Sequence, residues 1–215
     1  MPIEIQTLAL GVFQTNCYII GNTDTRAAVI IDPADEAGVI LKSVRERGWT
    51  VKQILATHAH FDHVLAAGEL HAATGAPFRL HKADLPLLEA MQVIGTFFGL
   101  ELPPPPTPDG YVEEGERIAV DGIALGVLLT PGHSPGHVSF VLREPEFVFC
   151  GDCLFEGSIG RADLPGGDNN LLMRSIFEKL VPLGDGYTVA SGHGGLTTIG
   201  QERRGNPFLL GYGGA

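Results

Sequence analysis

Apolar residues along the first third of the chain fall in short blocks bounded by polar or turn-forming residues. "IEIQTLAL" (3–10), "CYII" (17–20) and "AAVIID" (27–32) are β-type runs, with Gly21-Asn22 as turn chemistry between the last two. Over residues 36–47 the period changes. Val39, Ile40 and Val44 recur at helical spacing, and Gly48 stops the pattern. "QILAT" (53–57) then predicts a strand, and "VLAAGELHAATG" (64–75) a helix. Residues 82–98 predict a further helix, and the apolar stretch "MQVIGTFFGL" (91–100), just before the proline tract, is expected in the core. The helix runs into "GLELPPPPTPDG", where Pro103–Pro106 must be extended and cannot enter a helix or a central strand. That tract is expected to cross the surface as a connector.

Strands are predicted near 117–120, 124–130, 138–143 and 147–151, a helix over "NLLMRSIFEKL" and a last strand at "YTVAS". Both halves of the chain therefore read as strands accompanied by helices. The arrangement that buries such elements is two β-sheets face to face with helices outside. With 215 residues, 44% of them hydrophobic, the chain can bury one substantial core, and a single domain over 1–215 is expected.

Charge narrows the partners. A formal net charge of −11 repels phosphate backbones and anionic lipid, so neither nucleic acid nor a membrane is expected as a partner. The N-terminal stretch lacks a basic region and is interrupted by Gln14 and Asn16, unlike a signal peptide, and no apolar run is long enough to span a bilayer. Three cysteines argue against a disulfide framework and fit a reducing cytoplasm.

"ATHAHFDHVLAAG" (56–68) concentrates His58, His60, Asp62 and His63 between a strand end and a helix, where functional side chains are often presented. A single tetrahedral ion holding about four ligands would close the site, whereas two ions would need ligands from elsewhere. Candidates exist. His133 in "TPGHSPGH", Asp152 in "FVFCGDCLF" and His193 in "VASGHGG" each lie at the end of a β-type run beside glycine.

The motif T-H-x-H-x-D-H at Thr57–His63, followed by His133, Asp152 and His193, resembles the metallo-β-lactamase superfamily, and within it the glyoxalase II-like thioester hydrolases. The resemblance implies an αββα sandwich. It implies one ion on His58, His60 and His133, a second on Asp62, His63 and His193, and Asp152 as the bridge. Asp62 and Asp152 are then the carboxylates expected to act in catalysis as well as ligation. Two divalent ions are implied, zinc first, with iron or manganese as alternatives. With two aspartates and a hydroxide such a centre carries a charge of about +1, which favours an oxyanion. The expected nucleophile is a bridging hydroxide, because coordination lowers the pKa of water from 15.7 to about 7. A thiolate leaving group, of pKa about 8.5, needs little protonation to depart. The expected substrate is a small thioester such as S-lactoylglutathione.

"GSIGRADLPGG" and the N-P-F-L segment at Asn206–Leu209 resemble the short, single-domain subgroup, which lacks the C-terminal helical glutathione-binding domain of typical glyoxalase II. Arg161 occupies the position of a basic glutathione contact, while Asp163 and Gly195 stand where two tyrosines are usual. Arg161, Arg203 and Arg204 are the expected substrate contacts, since arginine pairs with carboxylates bidentately. A rival in the same superfamily is a persulfide dioxygenase, in which His58, His133 and Asp152 would form a facial triad for one Fe(II). A β-lactamase is disfavoured because Asp152 stands where zinc-type lactamases generally use cysteine. Asp32 in "IIDPAD" matches the superfamily's buried structural aspartate. His71, His81 and His137 are given no ligand role. Cys150 and Cys153 spell C-x-x-C, but at a strand end rather than a helix N-terminus, so burial is the default over redox chemistry.

Overall fold

A computed structural model describes residues 2–212, and its strands sort into two six-stranded mixed sheets. The first sheet is built from β1 (Ile3–Leu10), β2 (Thr15–Asn22), β3 (Ala27–Ile31), β4 (Thr50–Leu55), β5 (Phe78–Leu80) and β6 (Gly110–Tyr111), in that spatial order. β1 to β3 pair antiparallel, and β3 to β6 parallel. The second contains β7 (Arg117–Val120), β8 (Ile123–Leu129), β9 (Val138–Leu142), β10 (Phe147–Gly151), β13 (Thr188–Ser191) and β14 (Thr197–Thr198), with β10 and β13 parallel. A small hairpin, β11 (Leu154–Phe155) with β12 (Ser158–Ile159), follows β10.

Strand alternation divides the core into three layers. Tyr18, Ile20, Val29, Ile31 and Leu55 face Leu125, Val127, Phe140 and Phe149 of the other sheet. Their neighbours Ile19, Ile30 and Ile54 turn the opposite way, against Ile40 and Val44 of α1 (Ala37–Glu46) and Leu70 of α3 (Ala67–Thr74). On the far side, Val148 and Val189 pack on Leu172 and Met173 of α6 (Asn169–Ser175) and on Ile199 of α7 (Ile199–Gly205). Each buried aliphatic side chain stabilises the fold by about 1.5–3 kcal/mol. The order is helix, sheet, sheet, helix.

Several local expectations shift. Gly21-Asn22 ends β2 rather than forming a turn. A Cβ on Gly21 would lie 2.2 Å from the Trp49 ring, so the glycine makes room for the indole. Asn22 instead caps the turn after it, its Oδ1 accepting from the Asp24 and Thr25 amides at 2.9 and 3.0 Å. In α1 the inward face is Ala37, Ile40 and Val44, and Val39 is exposed. The helix expected over 82–98 is broken. A 3-10 turn at Lys82–Asp84, α4 (Leu85–Glu89) and α5 (Met91–Phe97) succeed one another, with Pro86 in the first turn of α4. The proline tract carries no helix or strand between there and β6. Two further helices, α2 (Phe61–Val64) and α8 (Pro207–Tyr212), are short. Among the described residues no helix is long and apolar enough to cross a membrane.

Candidate metal centre

β8 and β10 both run antiparallel to β9, and β10 runs parallel to β13, so these three strands end at one rim of the second sheet. His133 follows β8, Asp152 follows β10 and His193 follows β13. From the first sheet, the loop after β4 brings His58 and His60, and α2 brings Asp62 and His63. Backbone bonds join the sheets here: the Asn16 amide donates to the Gly192 carbonyl at 2.7 Å, and the Val138 amide to the Thr57 carbonyl at 2.8 Å. Strand ends free their side chains from the ladder, which is why the candidate ligands come from four separate segments.

The seven side chains form two groups that meet at Asp152. The donor atoms of His58, His60 and His133 lie within 4.8 Å of one another, as do those of Asp62, His63 and His193. Asp152 Oδ1 is 3.5 Å from His63 Nε2, and its Oδ2 is 3.6 Å from His133 Nε2 and 3.5 Å from His193 Nε2. Asp62 Oδ2 lies 3.4 Å from His193 Nε2 and accepts a 2.9 Å hydrogen bond from Thr15 Oγ1. The space depends on glycine: a Cβ at Gly192 would stand 2.1 Å from Asp152 Oδ1 and 2.6 Å from His63 Cε1.

The donor set fits divalent cations. His58 Nε2, His63 Nε2 and Asp152 Oδ1 are buried without a hydrogen-bond partner, an arrangement that costs about 1–3 kcal/mol per group unless something binds them. Imidazole and carboxylate together suit zinc, iron or manganese. Burial and the neighbouring histidines push His58 well below the usual imidazole range and His60 down to about 4. Burial also works against charging His63 and His193. The Asp62 and Asp152 carboxylates outweigh it, with Asp32 adding to the effect on His63, and raise them to about 9 and about 10. These carboxylates therefore demand positive charge, which protons or cations can supply in competition.

Outer contacts orient the candidate ligands. Asp32 accepts from the Thr57 amide at 2.6 Å and its hydroxyl at 2.8 Å, and lies 3.0 Å from His63 Nδ1, which aims Nε2 inward. His133 Nδ1 donates to the Arg161 carbonyl at 2.7 Å, and His193 Nδ1 to that of Phe13 at 3.2 Å. Asp84 is a residue the motif reading misses. Its buried carboxylate accepts from the Ala59 amide at 3.0 Å, Ser134 Oγ at 2.7 Å and the Gly136 amide at 2.5 Å, tying the loop of His58 and His60 to that of His133. The sequence clue is an acidic residue directly before the apolar run Leu85–Leu88.

Of the three arginines, only Arg161 lines the cavity over the ligands, and its guanidinium is paired with Asp163. Arg203 and Arg204 sit in the last turn of α7, pair with Asp185 and lie outside that cavity. His71 bonds the Ala76 carbonyl. His137 stacks on His58 at 5.1 Å and contacts Thr130 Oγ1 through Nδ1. Cys150 and Cys153 are buried free thiols, and burial pushes Cys150 up to about 12 and Cys153 well above its ordinary value. The cavity measures about 490 Å³. The "MQVIGTFFGL" segment, expected in the core, buries Met91 there, with Ile94 and Leu100 packed against it. Ile94, Phe97 and Phe98 wall the cavity, because breaking the helix swings α5 over the ligands. A second cavity of about 560 Å³ lies against β7 and β8 and contains none of the ligands.

A four-layer αββα sandwich carrying this histidine–aspartate array at its rim defines a metallo-β-lactamase fold. The chain belongs to the metallo-β-lactamase superfamily, whose profile matches residues 10–193. It is 40% identical over 209 residues to hydroxyacylglutathione hydrolase GloC of Haemophilus influenzae, covering 96% of this chain and 98% of that protein. Among solved structures, the BLEG-1 B3 metallo-β-lactamase superposes with a TM-score of 0.90 at 38% identity, over 96% of this chain and 99% of that one. TTHA1623 in a di-iron-bound form gives 0.86 at 43% identity, over 95% and 100%. ETHE1 from Myxococcus xanthus gives 0.81 at 29% identity, over 97% and 85%.

Proposed function

We propose that this protein is a thioester hydrolase that works with two divalent metal ions, the first on His58, His60 and His133, the second on Asp62, His63 and His193, with Asp152 shared. The observation that carries this is the position of Asp152, whose two carboxylate oxygens lie 3.5–3.6 Å from histidines of both groups. When bound, such ions supply Lewis acidity, which lowers the pKa of water to about 7 and polarises a carbonyl. The protein's own residues do the rest. Asp62 and Asp152 concentrate negative charge that holds the cations, while Asp32, the Arg161 carbonyl and the Phe13 carbonyl fix the ring orientations. Phe13, Phe61, Phe97 and Phe98 give the cavity beside them an apolar wall. In the reaction, water adds OH to the acyl carbon and H to sulfur as the C–S bond breaks, giving an acid and a thiol. The similarity to GloC supports this substrate class. Zinc is the proposed metal.

The likeness to ETHE1 favours a second reading, a one-iron persulfide dioxygenase using His58, His133 and Asp152. The full second group around Asp62 argues for two ions. The test is one panel on metal-loaded protein: S-lactoylglutathione, glutathione persulfide with an oxygen electrode, and a β-lactam. Thioester cleavage without oxygen uptake is the expected result. Oxygen uptake with persulfide, or turnover of the β-lactam alone, would overturn the proposal.

A further inference from the structure

Above the ligands the cavity becomes apolar. Phe13 from the β1–β2 turn, Phe61 from α2 and Phe98 beyond α5 meet with ring centroids 5.3–6.3 Å apart. Ile94 and Phe97 continue the wall. Phe97 is 84% exposed and Phe98 53%, so neither is placed there chiefly to fill the core. Two of these rings are tied to the centre through their backbone: Phe61 lies between His60 and Asp62, and the Phe13 carbonyl accepts from His193. Their distance from the reacting position is thereby set together with the ligands.

Charge runs the other way. Apart from the proposed ligands, Arg161 is the single charged side chain lining the cavity among the described residues, and it already makes two hydrogen bonds to Asp163, at 2.7 and 2.8 Å. Glutathione brings two carboxylates and an ammonium group, to a protein of net charge −11. A cavity of about 490 Å³ walled by phenylalanine suits an apolar group better than that carrier.

We propose that the cavity selects thioesters bearing an apolar acyl group, alkyl or aryl, which lies against Phe13, Phe97 and Phe98 with its carbonyl at the ligand cluster. This rests on the hydrolase reading above. The test uses acetyl, butyryl, hexanoyl and octanoyl thioesters of both glutathione and N-acetylcysteamine, an uncharged thiol, with metal-loaded protein. A fully buried methylene is worth up to about fourfold in binding, and a half-open wall about twofold. The expected result is kcat/KM rising about twofold per methylene in both series, with Phe97→Ala lowering the octanoyl-to-acetyl ratio. The variant should melt with the parent, since the side chain is exposed. Cleavage independent of chain length, or governed by the charge of the thiol, overturns this inference and leaves the hydrolase reading intact. Cleavage of no thioester sinks both. If light scattering shows that Phe97→Ala splits a dimer while the chain-length slope is unchanged, the aromatic patch is an interface between copies and the proposal fails.

Discussion

Replacing Asp84 should loosen the metal centre although Asp84 itself reaches no metal. Its carboxylate receives three donors: the Ala59 amide and Ser134 hydroxyl on Oδ2, and the Gly136 amide on Oδ1. Burial pushes its pKa up, and the three donors pull it back. Asp84→Asn preserves the shape but replaces one oxygen by NH₂. If the amide oxygen keeps Ala59 and Ser134, the NH₂ opposes the Gly136 amide, leaving one buried donor unsatisfied at about 1–3 kcal/mol. Asp84→Ala strands both amides, since only the Ser134 hydroxyl can rotate to another partner, and should destabilise by about 2–6 kcal/mol. At this chain length 1 kcal/mol shifts Tm by about 2–4 °C. Calorimetry of the metal-free protein should therefore show a moderate drop for Asn and a larger one for Ala. Ala59 lies between His58 and His60, and Ser134 follows His133, so metal affinity measured by chelator competition should fall about tenfold, by analogy with outer-shell residues of metal sites. Unchanged Tm and unchanged affinity in both variants would refute the reasoning.

Gly192→Ala places a methyl 2.1 Å from Asp152 Oδ1, so metal content should drop sharply by elemental analysis while circular dichroism stays near that of the parent. His71→Ala removes only the contacts of a half-exposed side chain to Ala76 and Asp109, and metal content and turnover should remain within about twofold. The three buried cysteines should resist a thiol-specific dye in the folded protein and react at once in denaturant; rapid native labelling of Cys150 or Cys153 would contradict their burial.

The histidines and aspartates that the fold brings together were legible because their chemistry is carried by local spacing and by glycine at strand ends, signals that do not depend on distant neighbours. The long strands, α1 and the four-layer order followed from hydrophobic period for the same reason. β5, β6, β11, β12 and β14 were not legible, being two or three residues long and stabilised by a partner strand rather than by their own pattern. Phe97 and Phe98 read as core, since apolar residues look alike until the break near Ala90 decides which way α5 points. Asp84 was hidden for another reason: its partners lie 25 to 52 residues away. Arg203 and Arg204 follow His193 closely in sequence, yet α7 carries them to Asp185.

Two groups of side chains meet at Asp152, and metal stoichiometry tests most directly whether each holds an ion. Titration of Zn²⁺ into metal-free protein, followed by calorimetry with a competing chelator, should give two equivalents for the parent. His193→Ala should retain one tight equivalent on His58, His60 and His133, and Asp152→Ala should weaken both sites and abolish turnover. A single equivalent in the parent, or two tight equivalents and full turnover in Asp152→Ala, would contradict the account.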